Sequence, residues 1–249
     1  MCELFGYSGN SEQELADWLS PFRARGGGTG DNPDGWGVAS WGAAGVALVK
    51  SPEPGYASTR FAQLASTLRT KLAIAHVRKA RIPPVPGMLN THPFAHACCN
   101  REWVFAHNGL VPEVISWQPA GALCQPQGDT DSEYAFCHLL TAIADSYGGG
   151  DRSNWIARLA KLSEKISTLG KFNFLLSDGR ILIAYGHDRL HHLERTDRQG
   201  RRAIIATEAL SGDAWQPFAP GELRVYRDGA LLAPTTTAYA TAPAARRRI

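Results

Sequence analysis

The second residue of the chain, Cys2, directly follows the initiator methionine. Removal of Met1 would leave a thiol and a free α-amine on one residue. An α-amine titrates at about pH 8, so a fraction of it is unprotonated at neutral pH and can take the proton from the thiol. Because the thiolate is the nucleophilic form of cysteine, Cys2 could supply both a nucleophile and its base. The alternative interpretation is a small apolar residue that opens a β-strand.

The composition is that of an ordinary globular chain. Its 249 residues are 44% hydrophobic and 20% charged, which suits one large domain or two small ones. The formal net charge of +3 is too small to indicate nucleic acid or a membrane surface as the main partner. No apolar run approaches the roughly 20 residues of a membrane span, and no apolar segment of a signal peptide follows Glu3. We therefore expect a cytoplasmic protein that binds neither nucleic acid nor membranes.

The cysteines predict a reducing environment. Their number is odd, two are adjacent and no C-x-x-C spacing occurs; they are Cys2, Cys98, Cys99, Cys124 and Cys137. This pattern indicates neither a disulfide framework nor a zinc site. The nearest histidine cluster, formed by His187, His191 and His192, is better explained by a polar strand edge than by metal ligation. We expect no metal and no cofactor.

These residues must be positioned by a fold that the hydrophobic pattern outlines. Ser11 and Glu14 have the spacing of a capping box, which predicts a helix over 12–22 after a strand over 2–8. Further strands are predicted at 38–41, 46–50, 72–78, 103–106, 171–177, 180–185, 203–207 and 222–226. Helices are predicted at 58–70, from an opening within 128–133 to about 147, and at 153–169. This order lacks the strand–helix alternation of a parallel sheet. We expect an α+β fold with two stacked, mostly antiparallel sheets and helices outside, followed by a flexible tail over 235–249.

Six short motifs occur in one order along the chain. They are Cys2 behind the initiator Met, Arg25-Gly26, His76-Val77-Arg78, Asn90-Thr91-His92-Pro93, His107-Asn108-Gly109 and Thr130-Asp131-Ser132-Glu133. Each alone has an ordinary explanation, because Asn-Gly is a turn signal and acidic residues cap helices. Together they resemble the glutaminase domain of class II glutamine amidotransferases, which are N-terminal-nucleophile (Ntn) enzymes. The opening MCELFG, DGWG at 34–37 and KFNFLLSDG at 171–179 are similar to the stand-alone YafJ-type branch.

The resemblance covers about residues 2–230 and implies both a fold and a reaction. The implied fold is the four-layer αββα sandwich of Ntn hydrolases, over a domain that we place at 2–234. The implied activity is that of a glutamine amidotransferase or amidohydrolase. It would release ammonia from glutamine through a thioester on Cys2, with the N-terminal amine as the base.

The resemblance also implies roles for the other residues of the site. Asn108 and Gly109 match an oxyanion hole, made by the side-chain amide of the first and the backbone N–H of the second. Arg78 matches the arginine that binds the substrate α-carboxylate. Asp131 matches the acid that receives the α-ammonium, and Asp129 is the competing candidate for that assignment. His92 matches a histidine near the pocket. Without the resemblance, these would be a surface arginine, a helix cap and a structural histidine.

Two departures from the family, and the question of whether Met1 is removed, keep other functions open. Lys79-Ala80-Arg81-Ile82 stands where relatives in the amino-sugar branch have Trp-Ala-Thr-His, so the substrate could be a larger γ-glutamyl amide or peptide. The chain ends soon after the glutaminase-like part, so a separate protein could accept the ammonia, or water could hydrolyse the acyl-enzyme. The third hypothesis is a glutamine-binding regulatory subunit without turnover, which retention of Met1 would favour.

Overall fold

The computed structural model describes residues 2–81, 83, 85–117, 123–147 and 152–236. Its strands are β1 (Glu3–Glu14), β2 (Trp36–Gly42), β3 (Gly45–Ser51), β4 (Arg69–Val77), β5 (Phe94–Cys98), β6 (Arg101–Leu110), β7 (Lys171–Ser177), β8 (Leu182–Gly186), β9 (His191–Asp197), β10 (Gly200–Ala206), β11 (Gln216–Pro217), β12 (Glu222–Arg227) and β13 (Ala230–Thr236). Its helices are α1 (Ala16–Ala24), α2 (Thr59–Thr67), α3 (Asp131–Tyr147) and α4 (Arg152–Ser167), with a 3₁₀ turn at Pro112–Ser116. Of the predicted tail, residues 235 and 236 end β13, and the rest lies outside the described residues.

The strands form two antiparallel sheets. The first holds seven strands in the order β11-β9-β10-β1-β4-β2-β3, and the second holds six in the order β13-β12-β8-β7-β6-β5. The strand that begins directly after Cys2, β1, lies inside the first sheet between β4 and β10. The strand that carries Asn108, β6, lies inside the second sheet between β5 and β7. The second sheet therefore carries Asn108 and Gly109 on an interior strand, and the first sheet holds Cys2 directly before one.

Alternation along β1 shows how the sheets and helices stack. Leu4 packs into an apolar cluster between the two sheets, together with Leu175 and Leu182 of the second sheet. Phe5 points the opposite way, toward Phe22 of α1, because successive strand residues face opposite sides of a sheet. The outer face of the second sheet packs in the same way against α3 and α4. The predicted four-layer αββα sandwich is confirmed; within the described residues, no helix is long and apolar enough to cross a membrane.

The helix predicted from the capping box begins in the wrong place. Ser11 and Glu14 belong to β1, which continues through Glu14, and α1 begins only at Ala16. The last residues of β1 pair with the start of β4. Sheet pairing therefore overrides a local helix signal, as tertiary context often does.

The strand with the Asn-Gly pair is longer than predicted. His107, Asn108 and Gly109 do not form a turn after the strand, because all three are paired with β7 inside β6. The hairpin turn lies at the other end of β6, where Cys99 and Asn100 have φ values of 58° and 57°. The strands β5, β9, β11 and β13 were not predicted; β5, β11 and β13 are edge strands, and β9 lies next to the edge strand β11.

One pair of cysteines is joined, contrary to the prediction. Cys124, in the loop before α3, forms a disulfide with Cys137 of α3, whereas Cys2, Cys98 and Cys99 are free. Both joined side chains are buried in the apolar cluster beneath α3 and α4. The pairing depends on how the loop docks against the helix, which cysteine spacing alone does not determine.

Candidate active site

A cavity of 390 Å³ opens where both sheets approach the start of α3. Its walls contain all six residues that the sequence predicts for the site, which are Cys2, Arg78, His92, Asn108, Gly109 and Asp131. The other residues that line it are Lys79, Arg81, His107, Leu110, Thr130, Ser132, Gly170 and Lys171. The fold thus gathers the predicted residues from distant parts of the chain, and their individual roles stay predictions.

Cys2 lies in the cavity wall with a partly exposed side chain. The backbone of Lys79 contacts its sulfur twice, because the Lys79 N–H donates to Sγ at 3.2 Å and the thiol donates to the Lys79 carbonyl at 3.4 Å. Burial raises the pKa of the thiol, whereas the Lys79 N–H and the charge of Arg78 lower it. A donor aimed at the sulfur favours the thiolate that nucleophilic attack requires.

Arg78 follows the last residue of β4 and is only 3% exposed. Its N–H donates to the Gly35 carbonyl at 2.7 Å, and its carbonyl accepts from the Asp34 N–H at 2.9 Å. Its Nη1 donates to the Val85 carbonyl at 3.2 Å, and burial lowers the pKa of the guanidinium. No carboxylate within the described residues forms an ion pair with it. A buried guanidinium without an ion-pair partner is suited to bind an anion.

Asn108 and Gly109 lie next to each other on β6 and face β7 through the backbone. The Asn108 Nδ2 donates to the Thr207 hydroxyl at 3.3 Å, and the same hydroxyl accepts from the Leu4 N–H at 2.8 Å. Thr207 therefore links β1 to the Asn108 amide. A Cβ at position 109 would lie 1.7 Å from the Lys171 carbonyl oxygen, so β6 and β7 can pair this closely only with glycine.

Asp131 is the first residue of α3 and is 4% exposed. Its Oδ2 accepts from the Val111 N–H at 2.6 Å, and its Oδ1 lies 3.3 Å from the Ser132 hydroxyl. The same hydroxyl lies 2.8 Å from Nδ1 of His107. Burial lowers the pKa of His107, and the charge of Asp131 opposes that shift. Among the described residues that line the cavity, Asp131 carries the only carboxylate, so it is the group there that can receive an ammonium.

His92 lines the cavity and is 3% exposed. Its ring stacks on His76 with 4.3 Å between ring centroids and contacts the Phe94 ring at 4.4 Å. Burial, together with the charge of nearby histidines, lowers the pKa of His92 well below its usual value. Neither ring nitrogen has a hydrogen-bond partner among the described residues. The imidazole is therefore neutral, and both of its nitrogens are buried behind the cavity surface.

Three residues that support the site carried no separate prediction. His107 and Ser132 belong to motifs that the sequence analysis singled out, yet only the fold shows that they bond to each other. Thr207 has no local signal, because it follows β10 in a part of the chain without a motif and meets Asn108 across 99 sequence positions. Its place beside the site depends on how the two sheets stack.

The described residues contain one group with metal-ligand geometry. It consists of His96, Cys124 and Cys137, whose candidate ligand atoms lie within 4.8 Å of one another. The two cysteine sulfurs are joined in the disulfide and are therefore not thiolate ligands. Only the histidine of this group could then bind a metal ion. None of the three residues lines the cavity.

Comparisons with known proteins agree with this geometry. The family model described as "Glutamine amidotransferases class-II" matches residues 1–248. The YafJ protein of Escherichia coli (strain K12) is 32% identical over 252 residues, which is 91% of this chain and 97% of that protein. The γ-glutamyl-hercynylcysteine sulfoxide hydrolase of Mycobacterium tuberculosis (strain H37Rv) is 30% identical over 187 residues, or 74% of this chain and 70% of that one. A crystal structure of a predicted glutamine amidotransferase from Pseudomonas aeruginosa PA01 superposes with a TM-score of 0.71 at 28% identity, over 93% of this chain and 100% of that chain.

Proposed function

The chain belongs to the class II glutamine amidotransferases, and from that premise we propose that it cleaves the carboxamide C–N bond of glutamine through a thioester on Cys2. The observation that supports this most directly is the meeting of six predicted residues in one cavity; they come from the ends of β1 and β4, the segment before β5, the strand β6 and the start of α3. A chain that only bound glutamine would need the two recognition residues. It would not need a thiol and an amide donor on the same wall.

The proposed reaction begins when the Cys2 sulfur attacks the side-chain carbonyl carbon of glutamine. The N-terminal amine takes the thiol proton and returns it to the departing nitrogen, so ammonia leaves and a thioester remains. Water then attacks the thioester carbon, which releases glutamate and restores the thiol. An N-terminal amine on Cys2 exists only after Met1 is removed, so the proposal includes that processing step.

The negative charge that develops on the carbonyl oxygen needs donors fixed in advance. We assign them to the Asn108 side chain and the Gly109 N–H. At the other end of the substrate, Arg78 would bind the α-carboxylate and Asp131 the α-ammonium. His92, whose ring lines the cavity, would contact the substrate. The ammonia would pass to a separate accepting protein or to solvent.

A second candidate function is hydrolysis of a γ-glutamyl amide or peptide. It needs the same thiol, oxyanion donors and γ-glutamyl recognition, and differs only in the amine that leaves. Two observations favour keeping it. One relative is named a γ-glutamyl-hercynylcysteine sulfoxide hydrolase, and Arg81 adds a positive charge to the cavity wall.

The test is the intact mass of the purified protein before and after exposure to 6-diazo-5-oxo-norleucine, an electrophilic glutamine analogue. We expect a parent mass that lacks Met1 and a single adduct that maps to Cys2. The Cys2→Ser variant is the matched control, and it should gain no adduct under the same conditions. Glutamate release from glutamine is then measured for both proteins.

Two results would contradict the proposal. Retained Met1 without an adduct would exclude the N-terminal amine as the base. Glutamine binding by a processed protein that forms no adduct and releases no glutamate would indicate the regulatory subunit instead.

A further inference from the structure

The cavity walls carry more positive charge than glutamine can neutralise. Four cationic side chains line them, Arg78, Lys79, Arg81 and Lys171, against the single carboxylate of Asp131. Glutamine is a zwitterion, and it offers one carboxylate and one ammonium. An excess of cations that neighbouring acids do not neutralise would therefore indicate a ligand with more negative charge than glutamine.

Acids outside the cavity neutralise two of the four cations. The Lys79 Nζ lies 2.8 Å from Asp31 Oδ1, and the Lys171 Nζ lies 2.5 Å from Asp188 Oδ2. Neither of the two arginines has an ion-pair partner anywhere in the described ranges. The cavity thus presents one carboxylate and two guanidiniums that lack an ion-pair partner, since Asp34 acts on Arg78 and Asp31 acts on Arg81 only through longer-range charge interactions.

Arg81 belongs to the wall beside the nucleophile. The backbone of Lys79, two residues earlier, contacts the Cys2 sulfur through both its N–H and its carbonyl. The intervening Ala80 is fixed because its N–H donates to Asp34 Oδ2 at 2.8 Å. Arg81 itself is exposed, so its guanidinium lies at the cavity mouth rather than in its interior.

We propose, on the basis of the function proposed above, that the natural substrate is a γ-glutamyl compound whose leaving amine carries a carboxylate, and that Arg81 pairs with this carboxylate. The γ-glutamyl group has one carboxylate for Arg78 and one ammonium for Asp131. A second anionic group must therefore belong to the leaving amine, as it does in a γ-glutamyl amino acid. A guanidinium can bind such a carboxylate through two parallel hydrogen bonds.

The chemistry is that of the glutamine reaction with a different leaving group. The Cys2 sulfur forms a bond to the γ-carbonyl carbon, and the bond from that carbon to the amine nitrogen breaks. The nitrogen takes the proton first removed from the thiol, so an amino acid departs in place of ammonia. Water then cleaves the thioester and yields glutamate.

The experiment compares γ-glutamylglycine with γ-glutamylglycinamide, which are nearly equal in shape and differ in one negative charge. Glutamate release is measured at fixed ionic strength, and kcat/KM is obtained for each compound. We expect the wild-type protein to prefer γ-glutamylglycine by about 10-fold, a typical effect of one charge-assisted pair, or about 1.4 kcal/mol. Arg81→Gln should bring the ratio close to one. Arg198→Gln, which changes an exposed arginine in the β9–β10 turn, should leave the wild-type ratio.

The wild-type ratio tests the proposal even if the Arg81 variant does not fold. Equal kcat/KM values for the two compounds, or cleavage of glutamine alone, would overturn it and leave the proposed function standing. A wild-type preference that Arg81→Gln does not alter would also overturn the role of Arg81. This result is expected if Arg81 and Arg78 both bind the α-carboxylate of the γ-glutamyl group. If none of the three compounds is cleaved and Cys2 takes no adduct, the proposed function itself fails.

Discussion

A single hydroxyl group couples the nucleophile's strand to the proposed oxyanion donor. The Thr207 Oγ1 accepts from the Leu4 N–H at 2.8 Å and from the Asn108 Nδ2 at 3.3 Å. The Thr207 N–H also donates to the Leu4 carbonyl at 3.1 Å, which fixes Thr207 against β1. One amide hydrogen of Asn108 is therefore occupied by Thr207, and the other has no acceptor among the residues that the structure describes, as the proposed oxyanion role requires.

We expect Thr207→Val to lower kcat for glutamate release by about 10-fold with little change in KM, because the amide of Asn108 loses the acceptor that orients it. Asn108→Ala should be more severe, at about 100- to 1,000-fold. Valine also leaves the Leu4 N–H without a partner, at a cost of about 1–3 kcal/mol in stability, so kinetics are measured well below the melting temperature of the variant. Thr196→Val on the exposed part of β9 is the control. An unchanged kcat for Thr207→Val would contradict the positioning role.

At the scale of elements, the pairing of β6 with β7 determines where the oxyanion donors lie. Gly109 lies opposite Phe172 in this pair, and the space for a side chain is closed by the Lys171 carbonyl on one side and the His107 ring on the other. The Asn-Gly pair is thus used for close strand approach and not for a turn. A glycine in a strand interior often marks such an approach.

Gly109→Ala should therefore reduce kcat/KM by at least about 100-fold, because the new Cβ forces β6 away from β7 and moves the Asn108 amide. It should also lower the melting temperature measured by circular dichroism. Gly42→Ala in β2 is the matched control, since a Cβ there meets no atom within 4 Å, and it should keep both quantities. Full activity in Gly109→Ala would show that the donors do not depend on this strand pairing.

The sequence predicted the elements that carry motifs better than the elements that join them. The motif residues Arg78 and Asp131 could be placed because each follows a strong strand or begins a strong helix. The capping signal at Ser11 failed because pairing with neighbouring strands stabilises β1 more than a helix cap would. That pairing depends on distant strands of the sheet and not on the local sequence. The Cys124–Cys137 disulfide and the role of Thr207 depend on contacts between segments that no local pattern connects.

At the scale of the whole molecule, buried histidines lie where the two sheets meet the cavity. His76 comes from β4 of the first sheet, and its Nε2 lies 3.1 Å from the His107 carbonyl of β6 in the second sheet. Its ring also stacks on His92. Burial lowers the pKa of His76 to about 3, and the pKa of His92 is likewise held far below its usual range. The junction between the sheets is therefore built from uncharged imidazoles.

This arrangement predicts a molecule that loses stability in mild acid. Below about pH 6.5 the unfolded chain binds a proton at each of these histidines, whereas the folded protein does not bind one at His76 until the pH approaches about 3. The stabilisation is thus complete above about pH 6.5 and decreases as the pH falls, by about 2 kcal/mol for His76 at pH 5. The lowered pKa of His92 adds to the loss in the same direction. Urea unfolding at pH 8, 6.5, 5.5 and 5 measures this change in the free energy of unfolding.

His76→Gln keeps an amide donor for the His107 carbonyl but cannot titrate. We expect this variant to be less stable than the wild type at pH 8, where position 76 is uncharged in both proteins. Below pH 6.5 its free energy of unfolding should decrease less steeply than that of the wild type. The two curves should converge by about 2 kcal/mol between pH 6.5 and pH 5. Parallel curves over that range would mean that His76 is protonated equally in the folded and unfolded states. The junction between the sheets would then hold a charge, and the neutral environment inferred for His92 at the cavity wall would fail with it.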